Sequence, residues 1–293
     1  MSKSFYVSNR SLDRSLTIKE CLDLFEDLEV YDLGDDIDIS KAYINDFEQI
    51  ILGKLNLTAR GFSLAYNDNK YEFNILNPAS IYDYKIMLLA IYKLADFLNT
   101  KEISDETNIY TISEFLNYDY KSDILYGLNE IDRHLTVEHQ YLMLPCLTVD
   151  VAIDRFTIDE LFKLDDPVVA FSNYITNLEN LDAYYAKATY YKQDEGIIGV
   201  YTLTEGVRTV LPRRPSINSE YKDVINEDNF LGFKIALVLC NGDKDNRDSY
   251  EMEGIIDYET LFTYLKEYEM LDAINALVEP LSHNDMLNLI KED

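Results

Sequence analysis

Glycine and proline are scarce, 10 and 6 in 293 residues, about half of the ~12% share that average composition supplies. A β-sandwich or propeller turns too often to be built from so few, so long regular elements with prominent helices are expected. Cysteine occurs at Cys21, Cys146 and Cys240, far apart and among apolar neighbours. An odd, scattered set is no disulfide framework and reads as buried thiols in a reducing compartment. Histidine is as rare. His134 and His139 read H-x-x-x-E-H, one residue too long for the inverted zinc-protease motif and in the wrong order for the usual one. On a helix that spacing turns the two rings to different faces, so no zinc site is expected. No apolar stretch approaches the ~18 uncharged residues of a bilayer span. The apolar run near the start, Phe5 to Val7, is too short for a signal-peptide core. A cytoplasmic location follows as the expectation.

The nucleotide signals are missing too. There is no Walker sequence and no G-x-G-x-x-G after a strand; Gly196 and Gly199 make only a G-x-x-G inside a strand region. No G-x-S-x-G elbow occurs. No cofactor is expected.

Basic residues are the other deficit: 26 Lys and Arg against 54 Asp and Glu, a formal net charge of −28. A field of that sign repels phosphate backbones and anionic lipid. Nucleic acid and membrane surfaces are therefore not expected as partners, and a basic protein or peptide is. The plain alternative is that the acidity serves solubility.

The hydrophobic share of 47% is that of a globular protein, and the pattern is α+β. Residues 4–8 form a strand candidate. Thr17-Ile-Lys-Glu20 starts a helix with Ile18, Cys21, Leu22, Phe25 and Leu28 on one face. Between Lys19 and Glu48 stand eleven acidic residues and two basic ones, partly on that helix and partly in a loop holding Asp32, Asp35, Asp36 and Asp38. Residues 40–53 read as a second helix. Residues 61–67 and 70–76 alternate around Asn67-Asp68-Asn69 as a hairpin. Ser80 caps a helix whose apolar positions, Ile81 to Leu98 with Leu89 among them, leave little for water. The polar residues 99–109 are the linker candidate of the first half. A helix over 122–135, a buried strand over 141–151, and helices near 157–164 and 167–180 follow. Strands are then expected near 184–192, 197–203, 207–211, 233–240 and 250–256, and a C-terminal helix carries Leu261, Leu265, Tyr268, Leu271, Ile274, Val278 and Leu281. The echoes Thr17-Ile-Lys-Glu20, Thr111-Ile-Ser-Glu114 and Thr157-Ile-Asp-Glu160 are three capping boxes.

Two stretches invite a site reading. Asn241-Gly-Asp-Lys-Asp-Asn-Arg-Asp248 resembles a calcium loop, yet Asn246 stands where glycine is needed and Met252 where a bidentate glutamate is. A solvated hairpin turn fits better, and no metal is expected. In Leu211-Pro-Arg-Arg-Pro-Ser216, Arg213 and Arg214 sit between prolines. They suit carboxylate or phosphate recognition, or else pair with the chain's own surplus carboxylates.

The opening Lys3-Ser-Phe-Tyr-Val strand, the Arg60-Gly-Phe-Ser-Leu hairpin and the polar stretch 99–109 resemble an uncharacterised bacterial family catalogued as a domain of unknown function. The resemblance spans most of the chain, implies a cytosolic bacterial protein and carries over no catalytic residues.

The expectation is thus an α+β fold of mostly antiparallel sheets covered by helices, in two lobes, 1–120 and 121–293. Its function is expected to be non-enzymatic: an acidic interaction module, immunity- or chaperone-like, binding a basic partner. Asp32, Asp35, Asp36, Asp38, Arg213 and Arg214 are the candidate binding residues. The alternative is a carboxylate-based hydrolase with an acidic cleft, with or without a divalent ion. Oligomeric state is not legible.

Overall fold

A computed structural model describes residues 2–34, 36–136, 140–226 and 228–292; Asp35 and His139 lie outside the described residues. The chain divides into two units, Met1–Leu181 and Asp182–Asp293. The boundary expected near residue 120 falls inside the first.

In the first unit, alternating Phe5 and Val7 turn inward from strand β1, Ser2–Ser8. Helix α1, Ile18–Phe25, begins where expected. The Thr17 side chain accepts from the Glu20 amide, and the Glu20 carboxylate accepts from the Thr17 amide. Strand β2, Glu29–Tyr31, follows. Residues 40–53 are not a helix: Ile44–Asp46 makes one 3-10 turn and Ile50–Gly53 is strand β3. The β-branched pair Ile50 and Ile51 is better placed in a ladder with Leu64 and Ser63 than on a helix, where such side chains lose rotamer freedom.

Strands β4, Phe62–Asn67, and β5, Lys70–Leu76, form the expected hairpin. Asn67 pairs with Lys70, and Asp68 and Asn69 take φ of 50° and 57°, the left-handed two-residue turn that matches strand twist. Ser80 and Asp83 close a capping box on α2, Ile81–Phe97. Tyr84, Met87, Ile91 and Leu94 are completely buried, each such side chain stabilising the fold by roughly 1.5–3 kcal/mol. Leu89, expected inside, is 48% exposed and Phe97 53%, so α2 keeps a wet side.

The linker expected at 99–109 is instead a hairpin of β6, Glu102–Ser104, and β7, Ile109–Thr111. Tyr6 of β1 pairs with Ser104. The sheet runs β2-β3-β4-β5-β1-β6-β7 with its described pairs all antiparallel. Helix α3, Ile112–Phe115, is capped by Thr111 and Glu114 as expected. Helix α4, Tyr120–His134, packs on α2. Gly127 lets α4 approach the turn before α2, where a Cβ would stand 2.8 Å from the Pro78 nitrogen.

The single strand expected over 141–151 is a hairpin of β8, Tyr141–Pro145, and β9, Asp150–Asp154. Helix α5, Arg155–Phe162, starts earlier than the Thr157 echo implies. Its cap is Asp154, whose carboxylate accepts from the Thr157 amide and hydroxyl, so Thr157 is a first-turn residue and no capping box forms. Helix α6, Pro167–Glu179, is capped by Asp166 with proline in its first turn.

In the second unit, β10, Tyr184–Tyr185, β11, Thr189–Lys192, β12, Ile197–Thr204, β13, Thr209–Pro212, β14, Phe230–Cys240, and β15, Tyr250–Asp257, occupy the expected strand regions. One sheet runs β11-β12-β14-β15, with β12 and β14 parallel. The C-terminal stripe is broken. After α7, Tyr258–Leu265, come β16, Glu269–Met270, and β17, Asn275–Val278, then α8, His283–Glu292. The second sheet runs β10-β13-β17-β16. Leu211, Leu237, Leu261, Ala276 and Leu289 meet in the core of this unit.

Candidate functional site

A surface cleft of about 220 Å³ opens in the first unit where the end of α1 meets α2. Phe25, Leu28, Ile86, Leu89 and Ala90 supply its apolar lining, and Glu26, Asp27, Lys54 and Lys93 its polar groups. Lys93 reaches from α2 to Glu26 at 3.1 Å and donates to the Phe25 carbonyl at 3.3 Å. Lys54, just past β3, meets Asp27 at 3.2 Å. Glu26 and Asp27 both take φ of 55°, a conformation costing roughly 1–3 kcal/mol per non-glycine residue. The chain accepts that cost where it turns from α1 into β2, and the two carboxylates are set at the rim of the cleft.

The acidic loop follows β2. Asp32, with φ of 58°, and Asp36 are exposed. Asp38 is exposed as well; Lys41 at 2.7 Å and the Ser40 hydroxyl and amide hold its carboxyl down to about 2. The arginines lie in the second unit. Arg213 donates to Glu259 at 3.0 Å and to the Tyr268 hydroxyl at 2.8 Å, with its guanidinium 4.6 Å from the Phe262 ring centre. It is thus paired with the chain's own carboxylate. Arg214 is exposed. The Asn241–Asp248 stretch connects β14 to β15 and contains the short turn Arg247–Ser249. Among the described residues no group of three or more His, Cys, Asp or Glu side chains could hold a metal ion.

Three clusters escaped the sequence reading. Asp83 is fully buried and accepts from the amides of Ala59, Arg60, Gly61 and Ser80 at 2.8–3.2 Å. Burial pushes its pKa up, while the amide donors oppose that push. Gly61 fits because its φ is +60° and a Cβ would stand 2.3 Å from the Leu52 carbonyl oxygen. The Arg60 side chain donates to the carbonyls of Pro145 and Pro78 at 2.9 and 2.7 Å, tying the β8 end to the start of α2.

Glu179, the last residue of α6, accepts from the Thr148 amide and hydroxyl at 2.9 and 2.8 Å and from the Val149 amide at 3.4 Å. It clasps the β8–β9 turn. Burial pushes its carboxyl up to about 7, against those hydrogen bonds and with help from Asp83.

The third cluster ties the start of β1 to the β6–β7 turn, with the Tyr118–Asp123 pair at the start of α4 beside it. Asp105 meets Lys3 at 2.7 Å and accepts from the Tyr110 hydroxyl at 2.7 Å and the Thr107 and Asn108 amides. Burial raises its pKa, yet these donors together hold the carboxyl well below the usual range. Asp123 accepts from the Tyr118 hydroxyl at 2.5 Å, and burial raises its pKa. The buried Tyr84 hydroxyl has no hydrogen-bond partner among the described residues. The contacts of Asp83 with Gly61, Glu179 with Thr148 and Asp105 with Lys3 join residues far apart in the chain, which no local motif announces.

The two units together make an α+β protein of antiparallel-dominated sheets, and no helix among the described residues is long and apolar enough to cross a membrane. The family model of the domain of unknown function DUF4299 matches residues 2–289, so the chain belongs to that family. No curated protein and no solved structure matches it.

Proposed function

We propose that this chain is a non-enzymatic interaction module that captures a basic protein or peptide through the acidic segment 19–48. The observation that carries the reading is the cleft at the end of α1. An apolar floor of Phe25, Leu28 and Leu89 is rimmed by the ion pairs Glu26–Lys93 and Asp27–Lys54, and Asp32, Asp36 and Asp38 are exposed on the loop that follows β2. An apolar pocket surrounded by charge is the arrangement in which one anchor side chain supplies affinity and the surrounding charges supply association rate. The test is a pull-down from cell lysate at low and high salt, comparing the parent with a Asp32→Lys, Asp36→Lys, Asp38→Lys variant. Basic proteins recovered by the parent at low salt, and lost in the variant, support the reading. Identical recoveries overturn it.

A carboxylate hydrolase is the second reading, favoured by one observation. Asp105 and Asp123 accept from the hydroxyls of Tyr110 and Tyr118, whose ring centres stand 6.0 Å apart, and their surroundings move the two carboxyls in opposite directions, as a paired general base and general acid require. Turnover of glycoside or ester substrates that disappears in Asp123→Asn would replace the first reading with this one.

A further inference from the structure

We propose that the outer edge of β15 is a docking surface for an extended basic strand of another protein, paired onto the sheet of the second unit. This uses a surface other than the acidic segment and shares with the first reading only the basic character of the partner.

Strand β15 ends the order β11-β12-β14-β15 and pairs only with β14 among the described residues. It is eight residues long, so about half of its residues direct an amide and a carbonyl away from β14. Its register shifts between Leu237 and Val238, which pair with Gly254 and Met252, leaving Glu253 as the extra residue of a bulge. Tyr250, Met252, Ile255 and Asp257 share a face with Cys240, Val238, Ala236 and Lys234. Gly254 is on the other face, where its missing Cβ leaves room for Ile290 of α8. The helices therefore cover the Gly254 side. On the opposite side Met252 is 62% exposed and Ile255 46%.

Glu251 and Glu253 are exposed along the same strand. A bulge and charges are the usual guard of an edge against copies of itself. Antiparallel self-pairing would set these carboxylates against each other in a chain of net charge −28, which argues against a second copy. Two exposed apolar side chains add nothing to that guard. They do complement a strand that alternates apolar and basic residues, apolar beside Met252 and Ile255 and basic beside the glutamates.

The probe is a fluorescein-labelled peptide of four Lys-Val repeats, with fluorescence anisotropy as the readout. Its control has the same sequence methylated on every backbone nitrogen, equal in charge and unable to donate to a sheet. Saturable binding is expected, weakened about tenfold or more in the control and in the charge-neutral variant Met252→Asn, Ile255→Asn. The Asp36→Lys, Asp38→Lys variant should stay within about threefold of the parent, the effect of the general field alone. Equal binding of both peptides, or parent-like binding by the Met252→Asn, Ile255→Asn variant, overturns the proposal. Loss of binding only in the aspartate variant moves the peptide to the acidic segment, which upholds the proposed function and overturns this inference. A dimer in sedimentation that Met252→Asn, Ile255→Asn abolishes would make a second copy the occupant, and overturn it too.

Discussion

Replacing Glu179 with glutamine should flatten the pH dependence of stability in the first unit. The folded-state carboxyl titrates at about 7, against an ordinary value near ~4.3 in an unfolded chain. Between those values the folded state binds more protons, so stability falls as pH rises through the window and stays low above it. The full shift corresponds to about 4 kcal/mol, and because Glu179 is only part-buried, solvent screening reduces this to roughly 1–2 kcal/mol. Glutamine keeps the oxygen that accepts from the Thr148 amide and hydroxyl and gives up the weak 3.4 Å bond from Val149. The groups facing Glu179 (Asp83, Cys146 and Tyr31) remain in both proteins. Urea midpoints at pH 5, 6, 7 and 8 should therefore diverge, with Glu179→Gln more stable at pH 8 and the difference shrinking steadily toward pH 5. Glu179→Ala should be less stable at every pH, because it abandons the Thr148 donors. A glutamine variant that is equally or less stable at pH 8 would refute the reasoning.

Asp83→Ala leaves four buried amides without their acceptor, that of Ser80 in the α2 capping box among them, while the Ser80 hydroxyl still caps the helix, so a loss of about 3–5 kcal/mol in chemical denaturation is expected, less whatever relief comes from no longer burying the carboxyl. Thr17→Ala should cost ~1 kcal/mol, while Asp154→Ala should cost more than Thr157→Ala because Asp154 is the residue that caps α5; equal effects at 154 and 157 would contradict that assignment. Calcium or zinc should leave the melting temperature unchanged, and a calcium-dependent rise abolished by Asp243→Ala with Asp245→Ala would overturn the hairpin-turn reading, since ligand at a hundred times its Kd adds ~2.7 kcal/mol.

The parts of the fold legible in the sequence are those decided within one turn or one hairpin. Thr17, Ser80 and Thr111 mark helix starts because the cap and its partner are three residues apart. Asp68-Asn69 marks a hairpin because those residues tolerate left-handed backbone. Several of the errors share one cause. Ile50–Gly53 and Asn275–Val278 become strands through partners on β4 and β13, and the Glu102–Ser104 hairpin with β7 is held to the sheet by the Ser104 pair with Tyr6 of β1. Leu271, Ile274, Val278 and Leu281 repeat at spacings of three and four and so imitate a helix, although Ala276 and Leu277 pair across a sheet. The β8–β9 turn, Cys146-Leu-Thr-Val149, contains no Gly, Pro, Asn or Asp to announce it. The exposed aspartates of the acidic loop could be read as a charged run, but the cleft at the end of α1 needed α2 and Lys93 to be seen.

The central claim, capture of a basic partner by the acidic segment, is tested most directly by the association rate of a recovered partner at increasing ionic strength. Steering by Asp32, Asp36 and Asp38 requires a rate that falls steeply with salt in the parent and far less in the Asp32→Lys, Asp36→Lys, Asp38→Lys variant, whose low-salt rate should drop by about tenfold or more. Equal rates and equal salt slopes in the two proteins, with the variant still folded, would contradict the account.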